Sequence, residues 1–282
     1  MEVTGLKPCH IGPGISNEQF VQEHIFFYII EGEMLIFDGK NQHKLNSSEI
    51  CIIKKNRPIR YTKTVEKEKF KTIVLVFDES FLKRFFVRHP YKQDGVSFGD
   101  SVVKIPPEKM LMNYLNSLDF YYDKQSAQMD ETFADIKREE LLLILFQINP
   151  ELMGLFSHFE NPTKIDLVEF MNRNYKFNMG LERFAFLSGR SLSAFKRDFF
   201  KTFNESPGKW ILEKRLDEAY FLVTQKKQRP SEFYLDLGFE DLSHFSIAFK
   251  KKFGYSPKEA ARKDMRSSSL ISPEWNKVDE GS

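Results

Sequence analysis

The chain has 282 residues, of which 41% are hydrophobic and 29% charged, with a formal net charge of +2. That length allows two domains with separate cores. No apolar run reaches the roughly eighteen residues of a membrane span, and the first residues lack the basic-then-apolar layout of a signal peptide, so the chain reads as cytoplasmic with no membrane partner. Cys9 and Cys51 are the two cysteines, fall in no metal-binding spacing, and read as free thiols.

The near-neutral total hides an asymmetry. Residues 160–266 carry 21 basic against 15 acidic residues, a balance of +6, while 1–159 carry 20 against 22, a balance of −2. A basic C-terminal half suits contact with phosphates.

The first hundred residues predict short strands: HIFFYII (24–30), EMLIFDG (33–39), SEICIIKK (48–55) and KTIVLVFD (71–78). They are rich in Ile, Phe, Val and Tyr, and Glu31-Gly32 and Asp38-Gly39 separate the first of them. Closely spaced strands with tight turns suggest a small antiparallel barrel or jelly roll over 1–104. Alternation in 24–30 puts His24, Phe26, Tyr28 and Ile30 on one face and Ile25, Phe27 and Ile29 on the other. The first set has the chemistry of an effector pocket, apolar walls with a few polar groups, and His24, Phe26 and Tyr28 are assigned to it. The second set is expected to pack on the helices that follow. A half-exposed sheet face is the plain alternative for His24 and Tyr28. The histidines at 10, 24, 43 and 89 are scattered and no catalytic or nucleotide-binding motif occurs, so no catalytic residue, metal or cofactor is expected.

Residues 105–150 change to helical spacing. Met110, Leu111, Tyr114, Leu115 and Leu118 make one stripe, and Ile136, Leu141, Leu142 and Leu145 another. Both helices packing on the barrel is the plain alternative, but residues 141–146 are apolar nearly all round, so the second helix needs partners on more than one side. Leu141, Leu142 and Leu145 are read as a dimer seam. Asn149-Pro150 through Asn161-Pro162 reads as a linker (151–162), and 267–282 as a disordered tail.

Between them, LSAFKRDFFKTFNESP (192–207) and LSHFSIAFKKKFGYSP (242–257) agree at eight of sixteen positions, fifty residues apart. In each copy the aromatics fall at i, i+4 and i+8, one helical stripe. Upstream of each stand a short helix and a turn with Gly189 or Gly238, the organisation of a helix-turn-helix, in which the second helix enters the major groove. Ser191 and Asp241 are suitable N-caps. The helix from Ser206-Pro207 to about 224 should join the two units rigidly. With Phe195, Phe199, Phe245 and Phe249 inward, the outward base-reading sets are Ser193, Lys196 and Arg197, then Ser243, His244, Ser246 and Ile247. Arg190, Lys201, Lys250 and Lys251 are placed on phosphates. Ile247 touches a thymine methyl or nothing specific.

GFEDLSHFSIAFKKKFGYSP (238–257), with its Gly-Phe, Phe-Lys, Phe-Gly and Ser-Pro steps, resembles the signature of the AraC/XylS family of bacterial transcription regulators. The resemblance covers about 163–264. It implies a DNA-binding domain of two helix-turn-helix units over 163–266 that insert their second helices into successive major grooves. It also implies double-stranded DNA and RNA polymerase as partners, and often a cupin-like sensing and dimerising domain ahead, taking a small-molecule effector. The fold expected is therefore α+β multidomain: a cupin-like jelly-roll barrel with a helical hairpin, followed by an all-α tandem helix-turn-helix domain, in a homodimer. A regulator whose barrel is only a scaffold, and a cupin enzyme fused to a DNA-binding module, are the alternatives. The family usually has a small residue four before the turn glycine, as at Ala185, whereas the second unit has Tyr234.

Overall fold

The computed structural model describes residues 6–8, 20–64, 70–91, 100–122, 131–159 and 162–262. Cys9, His10 and the tail from 267 lie outside these.

The N-terminal strands are β1 (Leu6–Pro8), β2 (Phe20–Val21), β3 (His24–Glu31), β4 (Glu33–Phe37), β5 (Gln42–Leu45), β6 (Ile50–Ile53), β7 (Arg57–Pro58), β8 (Arg60–Thr64) and β9 (Lys71–Phe77). Helix α1 (Glu79–Arg88) and strand β10 (Val102–Ile105) follow. The strands form three antiparallel sheets: β1-β9-β3-β6-β10, β5-β4-β8, and the pair β2-β7. The expected closed barrel is thus corrected to open sheets. Gly32 and Gly39, both at positive φ, make the turns on either side of β4.

Alternation along β3 sends its two faces into two cores, in the opposite sense to the sequence expectation. Phe27 and Ile29 join Met34, Ile36, Leu45, Cys51, Ile53, Ile59 and Val74 in a core shared by the five-stranded and three-stranded sheets. Phe26, with Ile52, Ile73, Leu75 and Phe77, faces the helices instead, and Tyr28 and Ile30 pack on that core. Both faces of β3 are covered, so alternation alone could not say which side the helices take. The Cys51 thiol is wholly buried, and burial pushes its pKa up.

His24 also lies on the helix side, buried with its ring centroid 5.0 Å from that of Phe156. Its Nδ1 accepts the Lys55 backbone N–H at 3.3 Å, and its Nε2 is buried without a hydrogen-bond partner. Burial, with Lys55 and Lys54 nearby, pulls its pKa down to about 3. The assignment of His24, Phe26 and Tyr28 to a barrel interior is corrected accordingly: they sit under the helices.

Those helices are α1, α2 (Lys109–Tyr122), α3 (Glu131–Ile148) and α4 (Leu152–Ser157). Asp78 caps α1, its carboxylate accepting the Phe81 N–H at 2.8 Å. Helices α2 and α3 form a hairpin, with the Tyr114 hydroxyl donating to the Lys137 carbonyl at 2.8 Å. Leu141, Leu142 and Leu145 are completely buried in this core. The dimer-seam assignment of these three residues is therefore corrected: their partners are the chain's own sheet, α2 and α4, and of 141–146 only Leu143 is exposed. Part of the expected linker is α4 itself, whose Leu152, Leu155 and Phe156 are buried. Buried Arg138 ties α3 to the β9–α1 corner, donating to the Val76 carbonyl at 3.1 Å and to Asp78 at 2.9 Å, with Asp135 as a further partner.

The C-terminal helices are α5 (Leu167–Asn174), α6 (Leu181–Leu187), α7 (Leu192–Phe203), α8 (Pro207–Thr224), α9 (Pro230–Phe233) and α10 (Leu242–Phe253). By the density of contacts the chain forms two compact units, residues 1–195 and 196–282. Within the first unit the β4–β5 turn meets the segment around α5: Phe37 stacks on Phe177 at 5.6 Å, and Arg183 lies over the Phe20 ring at 4.9 Å. Such contacts join α5 and α6 to the sheets. Among the described residues no helix is long and apolar enough to cross a membrane, and no three His, Cys, Asp or Glu side chains converge as a metal site.

Candidate nucleic-acid interface

The first reading unit is built on α6. Phe184, Ala185 and Leu187 are buried, and the Ser188 hydroxyl donates to the Ala185 carbonyl at 2.8 Å, closing the helix. Gly189 follows at φ +69°, where a Cβ would stand 2.3 Å from the Thr163 carbonyl carbon. The Arg190 guanidinium, expected on a phosphate, donates through one nitrogen to the carbonyls of Ile165 (3.1 Å) and Ser188 (2.7 Å) and so braces the turn. Ser191 caps α7, its hydroxyl accepting the Ala194 N–H at 3.3 Å.

On α7, Phe195 and Phe199 are completely buried, which turns the other side of the helix to solvent. Ser193, Lys196, Arg197 and Lys201 are all exposed. The Nε of exposed Arg197 lies 3.6 Å from Asp198. Sequence reasoning passed over Phe200, which is 58% exposed on this same side. Its position, three residues after Arg197 and seven after Ser193, was the available signal.

Helix α8 carries both readers within the second unit. Near its start Trp210 packs on Phe199 (5.7 Å) and Phe203 (4.8 Å) of α7. Further along, Tyr220 stacks on Phe249 (6.3 Å) and packs on Phe253 (4.8 Å) of α10. Arg215 donates to the Gly238 carbonyl at 2.8 Å, fixing the second turn to the same helix.

The second unit repeats the plan with a weaker brace. Helix α9 is a single turn, Pro230–Phe233, where α6 has seven residues. Half-buried Tyr234 packs at the edge of the core where the first unit has buried Ala185. Gly238 has φ +83°, and Asp241 caps α10 by accepting the His244 N–H at 2.6 Å. Phe245 and Phe249 are buried, while Ser243, His244, Ile247, Lys250 and Lys251 are exposed. Ser246 is half-buried and its hydroxyl donates to the Leu242 carbonyl at 2.7 Å, which occupies its donor locally. Lys252 is held by Asp217 at 2.7 Å and by Glu213, so the basic end of α10 divides into one structural and two outward lysines.

Comparison with known proteins matches two separate parts of the chain. Residues 24–155 match the family model described as ExsA N-terminal regulatory domain, and residues 185–263 match the model described as helix-turn-helix domain. The thermoregulatory protein LcrF of Yersinia pestis is 29% identical over 138 residues, 48% of this chain and 51% of LcrF. The chain thus spans about half the length of the Yersinia relatives it matches. The HTH-type transcriptional regulator ExsA of Pseudomonas aeruginosa is 22% identical over 259 residues, covering 89% of this chain and 91% of ExsA. Among solved structures, ToxT from Vibrio cholerae is 15% identical with a TM-score of 0.39, covering 92% of this chain and 96% of ToxT. The paired capped helices, the turn glycines and the two matched domains together support an AraC-family transcription regulator with an N-terminal regulatory domain.

Proposed function

We propose that this chain is a cytoplasmic, sequence-specific DNA-binding transcription regulator that reads duplex DNA with α7 and α10. The observation that carries the reading is the doubled design. Each helix is capped by Ser191 or Asp241, backed by two buried phenylalanines and mounted on α8, and each leaves a solvent-facing side with cations. Arg197 suits guanine, because its guanidinium can fork two donors onto O6 and N7. Ser193, Lys196, Ser243 and His244 supply further polar contacts, and Lys201, Lys250 and Lys251 lie on phosphates.

A salt-matched titration of the full chain on a selected duplex tests this. Arg197→Ala should weaken specific binding by about 1–3 kcal/mol and relax one base-pair preference. Lys251→Ala should weaken binding to all sequences alike and lower the salt slope by about one. An unchanged specific-to-nonspecific ratio in Arg197→Ala overturns the facing of α7.

For the N-terminal unit, matched to a regulatory domain, the packing of the face carrying His24, Phe26 and Tyr28 against α4 and its neighbours weighs against an effector bound beside Tyr28. A thermal-shift screen that returned a metabolite whose effect disappeared in Tyr28→Ala would restore the effector.

A further inference from the structure

The two readers are usually expected to repeat each other, yet their outward positions differ in a systematic way. At about 100° per residue, Arg197 and Phe200 are neighbours one turn apart on the side of α7 opposite its core. The fifty-residue repeat places Ile247 and Lys250 at the same two positions of α10. In α7 the cation comes first and the apolar group second; in α10 the order is reversed. Neither apolar side chain is hidden. Phe200 is 58% exposed and Ile247 is 68% exposed, against complete burial of Phe195, Phe199, Phe245 and Phe249.

A surface apolar group is ordinarily unremarkable. Here each is flanked by exposed cations of the proposed DNA-facing side: Lys196, Arg197 and Lys201 around Phe200, and Lys250 and Lys251 beside Ile247. In the major groove the apolar feature that a base pair offers is the C5-methyl of thymine. Building on the DNA-reading proposal above, we infer that Phe200 and Ile247 each read a thymine methyl, so the two half-sites carry chemically different, non-repeated sequences. Arg197 and Phe200 select a guanine and a thymine in one groove. Ile247 selects a thymine in the other, where Lys250 holds the backbone.

The test isolates the methyl. The full chain first selects its site from a library of random duplexes, and each thymine of that site is then replaced in turn by deoxyuridine, which removes the C5-methyl and keeps the base pairing. Binding should weaken about three- to fivefold at one thymine in each half-site, the change expected for removing one buried methyl. In Ile247→Ala the penalty should vanish at the second half-site alone, and in Phe200→Ala at the first alone. Ile247→Val, which keeps a branched apolar tip, should retain it. Equal binding of all deoxyuridine duplexes, or penalties that survive both alanine variants, overturns the inference while leaving DNA reading intact. A change of oligomeric state in Phe200→Ala without loss of its thymine penalty assigns Phe200 to a protein contact and overturns its half. Failure of the library to yield any preferred sequence overturns the DNA-reading proposal itself, and this inference with it.

Discussion

Gly189 and Gly254 both have positive φ, +69° and +83°, but they meet different surroundings. A Cβ on Gly189 would press into the Thr163 backbone, whereas one on Gly254 would meet open space. Gly254→Ala should therefore cost only the left-handed backbone penalty, about 1–2 kcal/mol. Gly189→Ala should cost about 3 kcal/mol or more, because overpacking against backbone adds to that penalty. Urea unfolding of both variants decides, and equal costs would contradict the close approach to Thr163. At His24 the sequence offered an imidazole but not its burial. Its folded pKa of about 3 lies below the ordinary value of 6.5, so the unfolded chain binds the proton first. Stability is then fully present above pH 6.5 and falls by about 1.4 kcal/mol per pH unit below it, down to the folded value. His24→Phe should flatten that slope between pH 6.5 and 5, and an unchanged slope would show the imidazole to be solvated. The outward faces of α7 and α10 could be read from sequence because helical spacing fixes a face once the core residues are known. Bonds made by Arg190, Ser246 and Lys252 could not, since their partners are carbonyls and carboxylates brought near by tertiary folding.

Helix α3 shows how an element can be recognised while its neighbours are mistaken. Its apolar residues announced a helix wanting partners on several sides, but nothing local distinguishes a second subunit from the chain's own sheet and α4. Leu145→Ala should cost about 2–5 kcal/mol by leaving a cavity among α2, α3 and α4. Leu143→Ala, on the more exposed side of the same helix, should stay within about 0.5 kcal/mol. A thermal melt in which the two variants behaved alike would remove Leu145 from the core. Helix α1 was not read in advance, although Asp78 followed by Phe81, Leu82 and Phe85 carries a cap and an inward stripe. Its run of aromatics also suits a strand, and the ambiguity resolves only through the Asp78–Phe81 cap and the Arg138 contact. Tyr234 was legible as a departure. It stands half-buried at the end of a one-turn bracing helix, where the first unit has buried Ala185.

At the scale of the molecule, strand composition indicated antiparallel sheets but not whether they close. Closure depends on register and tilt across many strands, and the short strands β2, β5, β7 and β8 had weak sequence signals. Contacts such as Phe37 on Phe177 were hidden for a related reason, since they join segments far apart in sequence. What the whole chain requires of α8 was clearer: it must hold two readers at one spacing and one rotation. Its first turns grip α7 through Trp210, and Glu213, Arg215, Asp217 and Tyr220 grip the second unit. One alanine inserted between Leu212 and Glu213 falls between these two sets of contacts. It should leave each unit folded but rotate one reader against the other by about 100° and shift it by about 1.5 Å. With α10 turned out of its groove, specific affinity should drop to the nonspecific level while the salt-dependent phosphate attraction persists. Circular dichroism would confirm folding and a salt titration would separate the two components. Full specific affinity in the inserted variant would mean that the readers are flexibly tethered, and the rigid-joint account of α8 would fall.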